Sequence, residues 1–369
     1  MTISKIIDYD EENETFNLLS ESLPKFKFDF KLREIPINLL DWDELISKYE
    51  KQIEVEINSN SQRLILECLG VACRITNRCE DAEKYLLKAL SLSISQARTE
   101  AVIKNLIRLA DVYRWLFNFD KAKLIYDQAK ALILENNTSE SIHASFHQHL
   151  GKYYFDQKYF GIAACEFQLA YKIRSGINAS ADQMESSKMA LAEAKKQWPN
   201  HLEKNISIRI AKVSDAESVH NVHMFSINNI CAKDYTADEI RVWGGRKYKP
   251  SFRIPSILNE IFLVVEFENS IEGFCQMEFV KNNKNSLRSS VLHGLYLTPE
   301  ILKKNIGNVL IKLVIEYCRS ENVKTIKLRS TLTALNFYKK MGFKQNGDIG
   351  GPIIDGIMVR GYPMKMDLE

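Results

Sequence analysis

The segment TLTALNFYKKMGF, residues 331–343, spaces Ala334, Phe337, Tyr338 and Met341 three and four apart, so they share one face of a short helix that ends on a glycine. Tyr338 brings to that face a phenol, whose ordinary pKa is about 10. Periodicity alone makes it a core residue; a role in proton transfer depends on what the preceding hundred residues build around it. Two further groups of suitable chemistry lie upstream on predicted strands, His293 in SVLHGLYL and Glu278 in IEGFCQMEFV. Alternation puts His293 on the same strand face as Leu295 and Leu297, and an imidazole takes up a proton near neutrality. Either residue can equally be a satisfied member of the sheet. His220 and His223, one helical turn apart, read as surface residues. The histidines, cysteines and acids lack metal-ligand spacing, so no metal is expected. The seven cysteines form no C-x-x-C pair and sit mostly at apolar positions, as reduced, buried thiols in a cytoplasmic chain would.

These groups have to be positioned by a chain of 369 residues, too long for one compact core. Lys+Arg 50 against Asp+Glu 47 leaves no basic excess to hold a polyanion, which argues against nucleic acid as a partner. The start, MTISKIIDYDEENETF, has no basic region followed by an apolar run, and the apolar stretches are far short of a membrane span, so neither secretion nor a membrane is expected. Helical periodicity stops around QWPNHLEKN, which puts a domain boundary near residue 200. Three domains are expected: residues 1–59, a leader with an extended arm and a helix; 60–200, helical repeats with a terminal helix; and 206–369, mixed strands and helices.

In the middle region a pattern recurs. Leu69, Gly70, Cys73, Ala82, Leu86 and Ala89 return as Leu109, Ala110, Tyr113, Ala122, Tyr126 and Ala129, then as Leu150, Gly151, Tyr154, Ala163, Phe167 and Ala170. Each copy reads as two amphipathic helices, with small residues where the helices approach closely. This resembles the tetratricopeptide repeat (TPR), over roughly residues 60–175. The spacing of 40 and then 41 residues exceeds the family's usual period of about 34, which implies longer helices or loops. DQMESSKMALAEAKKQW is then a terminal helix covering the last repeat. The resemblance implies a concave face that receives a protein or peptide; a scaffolding role is the plainer alternative. The leader KFKFDFKLRE, residues 25–34, alternates apolar and charged residues as an extended edge strand or arm would.

After ISIRIAK, the sequence SDAE has the spacing of a capping box opening a helix. A helical, basic stretch follows, then IFLVVEFE and IEGFCQMEFV as a hairpin, SVLHGLYL as a third strand, and TPEILKKNIGNVLIKLVIEYC with one apolar helical face. VKTIKLRS is another strand, then comes the Tyr338 helix, and GIMVRGYPMKMDL closes the domain after an Asp355-Gly356 turn. This order, with LYLTPEILKKNIGNVLI and TLTALNFYKKMGF in their places, resembles the GNAT superfamily of acyl-CoA-dependent N-acyltransferases over residues 206–369. The expected fold is therefore an all-α TPR superhelix followed by an α/β GNAT fold.

The resemblance implies acetyl-CoA, or another acyl-CoA, as co-substrate and an amine as acceptor. It carries the coenzyme site onto Leu295, Leu297, Lys303, Lys304, Asn305, Ile306, Gly307, Asn308, Thr331 and Ala334. Of the family's Q/R-x-x-G-x-G/A turn, spanning Leu302 to Gly307 here, only the last glycine is present; Lys303 and Lys304 are candidates to compensate electrostatically, or ordinary solvated lysines. Tyr338 stands where the family's proton donor to the departing thiolate lies, and His293 or Glu278 is the candidate base. The stretch RVWGGRKYKPSFR, residues 241–253, carries five basic side chains and no acid. It suits an acceptor bearing a carboxylate or phosphate, or an acidic peptide region; alternatively it solvates a helix end or touches the TPR half. The alternative to an active N-acyltransferase recruiting partners through its repeats is a non-catalytic TPR scaffold with a degenerate acyltransferase domain.

Overall fold

A computed structural model describes residues 23–198, 200, 202–203, 205–246, 248–281 and 287–368. The opening MTISKIIDYDEENETF and Lys247 of the basic stretch lie outside the described residues. The chain divides into two compact units, Met1–Gln197 and Trp198–Glu369.

The first unit opens with a small antiparallel hairpin, β1 (Phe26–Phe28) and β2 (Glu34–Pro36). The leader's alternation is thus broken by a turn in which the Asp29 carboxylate accepts from the amides of Lys31 and Arg33. Eight helices of 17 residues follow: α1 (Leu39–Val55), α2 (Ser59–Ile75), α3 (Cys79–Ser95), α4 (Thr99–Trp115), α5 (Phe119–Glu135), α6 (Glu140–Asp156), α7 (Phe160–Gly176) and α8 (Ala181–Gln197). They pack in adjacent pairs, as a helical-repeat domain does. The long period comes from the helices; the connections within pairs are three residues long, as at Thr76–Arg78. Small residues sit where the pairs close: a Cβ on Gly70 would lie 2.5 Å from Leu86 Cγ, and one on Gly151 2.5 Å from Phe167 Cε1. In the second pair Ala110 and Tyr126 occupy these places, both buried. As expected of a terminal helix, α8 covers the last pair: Arg174 of α7 donates to Ser187 at 2.8 Å, and Ser187 to Gln148 of α6 at 2.6 Å.

The second unit is built on a seven-stranded sheet. In chain order it contains β3 (Ile206–Ile210), α9 (Ala216–Phe225), α10 (Ala237–Gly244), α11 (Ile254–Asn259), β4 (Ile261–Phe267), β5 (Ser270–Lys281), β6 (Leu287–Leu297), α12 (Pro299–Leu302), α13 (Ile306–Ser320), β7 (Thr325–Ser330) and α14 (Leu335–Lys340). It closes with β8 (Lys344–Gln345), β9 (Ile353–Ile354), β10 (Ile357–Met358) and β11 (Tyr362–Asp367). The strand order is β3-β4-β5-β6-β7-β11-β8, with β9 and β10 a separate hairpin. The expected β4–β5 hairpin turns at Glu268 and Asn269, at φ +50° and +69°, matching the twist of the strands it joins.

The capping-box expectation for SDAE fails. Helix α9 is entered through a 3-10 turn at Val213–Asp215, because the Asp215 carboxylate is engaged by the Lys212 amide at 2.7 Å and by Arg209 at 2.7 and 3.0 Å. The Tyr338 helix is shorter than its periodicity suggests. Thr331 folds into a turn whose hydroxyl accepts from the Ala334 amide at 3.2 Å, so the helix runs only from Leu335 to Lys340 and closes at Gly342, φ +93°.

All seven cysteines are buried free thiols. Among the described residues, no group of three or more His, Cys, Asp or Glu is placed to hold a metal, and no helix is long and apolar enough to cross a membrane.

Candidate functional site

Strands β6 and β7 are parallel neighbours only from Ser290↔Ile326 to Leu292↔Leu328; beyond that register no pairing joins them. The cause lies in β6. Its partner β5 pairs Met277 with Leu292 and Gln276 with Gly294, so His293 is the extra residue of a β-bulge. A bulge bends its strand and raises the local twist. The last residues of β6 therefore have an edge without a strand partner.

Between the diverging strands lies a cleft of about 520 Å³, lined by β6 from Leu292 to Leu297, by the entry to α13 and by the α14 turn. A third wall comes from a π-helical turn, Ser226–Ile230, which follows α9 and puts Ser226, Ile230 and Cys231 on the cleft. Single π turns of this kind often sit at functional sites.

The α13 end of the cleft is an uncapped helix N-terminus. Asn305 is its N-cap, in the left-handed region at φ +62° and ψ 10°, and makes no side-chain cap. Its side chain accepts instead from Asn308 Nδ2 at 2.5 Å. First-turn amides have no partner within their own helix, and they carry the positive end of its dipole. Gly307 is set by packing: a Cβ there would stand 3.0 Å from Cζ of Phe337, which also lines the cleft. Lys303 and Arg329 line the cleft, and among the described residues no carboxylate does. Arg329 also donates to the Gly350 carbonyl at 2.7 Å.

Tyr338 also lines the cleft, its ring held edge-on between Phe337 and Phe343 with centroids 5.1 and 5.5 Å away. Burial, with Cys275 nearby, pushes its phenol above the ordinary range, so it stays protonated throughout the physiological range. Its neighbour on the wall, Tyr296, is raised likewise by burial.

Of the sequence-predicted site residues, Leu295, Leu297, Lys303, Asn305, Gly307, Asn308, Thr331, Ala334, His293 and Tyr338 line this one cleft. Ile306, Lys304 and Glu278 do not. Ile306 is fully buried, Lys304 bonds Glu203 at 2.7 Å, and its ammonium sits 5.3 Å from the Phe267 ring centre. The rival residues Glu278 and His293 turn out to be one pair, with His293 Nε2 3.1 Å from Glu278 Oε1 and both side chains well exposed. Ser226, Cys231, Tyr296, Phe337 and Arg329 were missed as lining residues. Arg329 was findable, as the penultimate residue of a strand that leads straight into the Thr331 turn; the π turn left no mark in the periodicity.

The surface reading of His220 and His223 is corrected. Both are half-buried, because the segment after α10 folds back over them. The His223 ring meets Tyr296 edge-on at 4.5 Å and Phe274 at 5.9 Å. Arg253 donates to His223 Nδ1 and, at 2.9 Å, to the Tyr248 hydroxyl. Burial first, and Arg253 second, push His223 down to about 3, so it is neutral near pH 7. The basic stretch therefore does more than solvate a helix end. Helix α10 is itself pinned: Glu239 accepts from Arg360 Nε and Nη2 at 2.8 Å each, and the Tyr235 hydroxyl donates to the Arg360 carbonyl at 2.7 Å while accepting from Leu332 N at 3.0 Å.

Residues 231–368 match the sequence profile of the acetyltransferase (GNAT) domain. No curated protein matches the chain. Similar solved structures include a GCN5-related N-acetyltransferase from Rhodopseudomonas palustris, 16% identical, over 46% of this chain and 99% of that one, with a TM-score of 0.39. The PaiA N-acetyltransferase of Thermoplasma acidophilum, in complex with coenzyme A, is 23% identical over 44% of this chain and 98% of its own, TM-score 0.36. Arabidopsis thaliana Naa50, in complex with the bisubstrate analogue CoA-Ac-MVNAL, is 16% identical over 44% and 98%, TM-score 0.32.

Proposed function

We propose that the acetyltransferase (GNAT) domain of the C-terminal unit transfers an acetyl or other acyl group from acyl-CoA to an amine, and that the helical repeats recruit the protein or peptide bearing it. The observation that carries the first half is Asn305. The position where the family has a glycine holds a residue that nevertheless adopts the left-handed backbone a glycine would supply. The turn is thereby compatible with close approach of a diphosphate to the α13 amides. Lys303 and Arg329 add positive charge, and the unpaired edge of β6 offers backbone groups to an extended pantetheine chain. A non-catalytic scaffold drew its support from Asn305 and Leu302 in this turn, and the left-handed backbone of Asn305 weakens the first of these.

Bound acyl-CoA supplies a thioester whose carbonyl carbon accepts the amine. The chain's residues then have four tasks. The α13 turn anchors the diphosphate. A β6 amide, that of Leu295 in this reading, faces the thioester oxygen and stabilises the charge that develops on it. The Tyr338 phenol, kept protonated by burial, donates to the departing sulfur. Glu278 fixes the ring of His293, which takes the ammonium proton directly or through water. The test is incubation of the full chain with isotopically labelled acetyl-CoA and a panel of small amines and peptides with free N-termini, followed by mass spectrometry. Label on an amine is the expected result; intact acetyl-CoA throughout would reject the reading.

A further inference from the structure

The first helices of the three repeat pairs, α2, α4 and α6, pack side by side, and the face they make is already covered. The β1–β2 hairpin lies across it. Glu34 Oε2 accepts from Arg74 Nη1 of α2 at 2.8 Å, and Glu34 Oε1 from Lys152 Nζ of α6 at 2.6 Å. All three side chains are almost wholly buried. Arg33 reaches Asp156 at 3.3 Å, its guanidinium 5.3 Å from the Trp115 ring and 4.8 Å from that of Phe117. The Lys152 ammonium stands 5.1 Å from the Phe28 ring.

Two features mark this hairpin as an occupant of the face. The first is charge. Arg74 and Lys152 bond a carboxylate that comes from the hairpin, and without Glu34 they would be buried cations lacking it. Burial alone would raise the Glu34 carboxyl, yet Lys152 and Arg74 hold it far below the carboxylate range. The second is imperfect fit. Arg33 Nε, Trp115 Nε1 and Asp156 Oδ1 are buried without a hydrogen-bond partner among the described residues, and all three belong to residues at this contact. Buried polar groups are normally satisfied, so these atoms are open to hydrogen bonds that the hairpin itself does not make. A crevice of about 430 Å³, lined by Asp29, Arg33, Ile35 and Trp115, runs along the hairpin.

We propose that Phe26–Pro36 is a tethered, displaceable ligand of the first-helix face, and that the partner of this face is an extended acidic protein segment which brings a carboxylate to Arg74 and Lys152 in place of Glu34. This deepens the recruitment half of the proposed function and is independent of acyl transfer.

The test uses the full chain and a fluorescein-labelled synthetic peptide of residues 24–37, read by fluorescence anisotropy. The Glu34→Gln chain is expected to bind the peptide at least tenfold more tightly than wild type, and a peptide carrying Gln in place of Glu34 is expected to lose that gain. In the unmodified chain, hydrogen exchange at the amides of residues 26–36 is expected to quicken as peptide is added in excess, a readout that needs no variant to fold. Equal affinity for both chains with unchanged exchange would overturn displacement, while leaving recruitment to another surface. A hairpin that opens in Glu34→Gln without binding the peptide would overturn recruitment by this face as well. A concentration-dependent dimer of Glu34→Gln that excludes the peptide would assign the face to a second copy's hairpin, and would also overturn the proposal.

Discussion

Asn305 shows what a single residue can and cannot reveal. Its type departs from the expected glycine, and only the backbone discloses that it takes φ +62° regardless. Spacing gave Tyr338 only as a core residue, and its candidacy came from the family resemblance; the bulge at His293 was not legible at all, since a bulge is a property of pairing between β5 and β6. The role proposed for Tyr338 predicts that Tyr338→Phe retains acetyl-CoA binding while lowering turnover by roughly 10²–10⁴; unchanged turnover would discard the role. His223 gives a second prediction. Its folded-state value, about 3, lies below the ordinary 6.5, so the unfolded chain binds the extra proton between those values. Stability is therefore full above pH 6.5 and falls as pH drops toward 3, with a slope from this group of up to about 1.4 kcal/mol per pH unit. Denaturant titrations of wild type and His223→Gln across that range should diverge, with the variant showing the flatter dependence.

Elements were legible where period and composition agreed. The repeat pairs, the β4–β5 hairpin and the amphipathic α13 all follow from apolar spacing, whereas the π turn after α9 and the 3-10 entry before it depend on tertiary partners such as Arg209 for Asp215. The conformation of the turns at 76–78, 96–98, 116–118 and 157–159 was not readable, because the middle residue of each is left-handed without being glycine: Asn77 at φ +62°, Ala97 at +52°, Phe117 at +56° and Lys158 at +67°. A left-handed non-glycine residue costs roughly 1–2 kcal/mol, of which glycine's greater chain entropy takes back 0.5–1. Ala97→Gly should then stabilise the chain by about 0.5–1 kcal/mol in chemical denaturation. The opposite sign is expected at the entry to α13. Gly307→Val forces branched carbons onto the Phe337 ring, already 3.0 Å from a Cβ at that position. Overpacking of this kind costs about 1–3 kcal/mol, and here it should also weaken acetyl-CoA binding as measured by titration calorimetry.

At the scale of the molecule, helical periodicity and strand alternation are different sequence periods, which is why the change of grammar near Pro199 reads as a domain boundary; the chain divides into Met1–Gln197 and Trp198–Glu369. The leader was the part least visible in advance. Its alternation suggested an arm, but that Glu34 would complete a charge pair with Arg74 and Lys152, 40 and 118 residues away, is a long-range fact no local pattern encodes. For the C-terminal unit the whole account rests on the cleft between β6 and β7 accepting acyl-CoA. Thermal unfolding of the full chain with and without acetyl-CoA tests this most directly, since a ligand that binds only the folded form adds about 2.7 kcal/mol at a hundred times its Kd. The account predicts an upward shift of about 5–10 °C at a hundred times Kd, growing with the logarithm of acetyl-CoA concentration, retained in Tyr338→Phe and reduced in Gly307→Val. An unfolding transition unmoved at millimolar acetyl-CoA would contradict it.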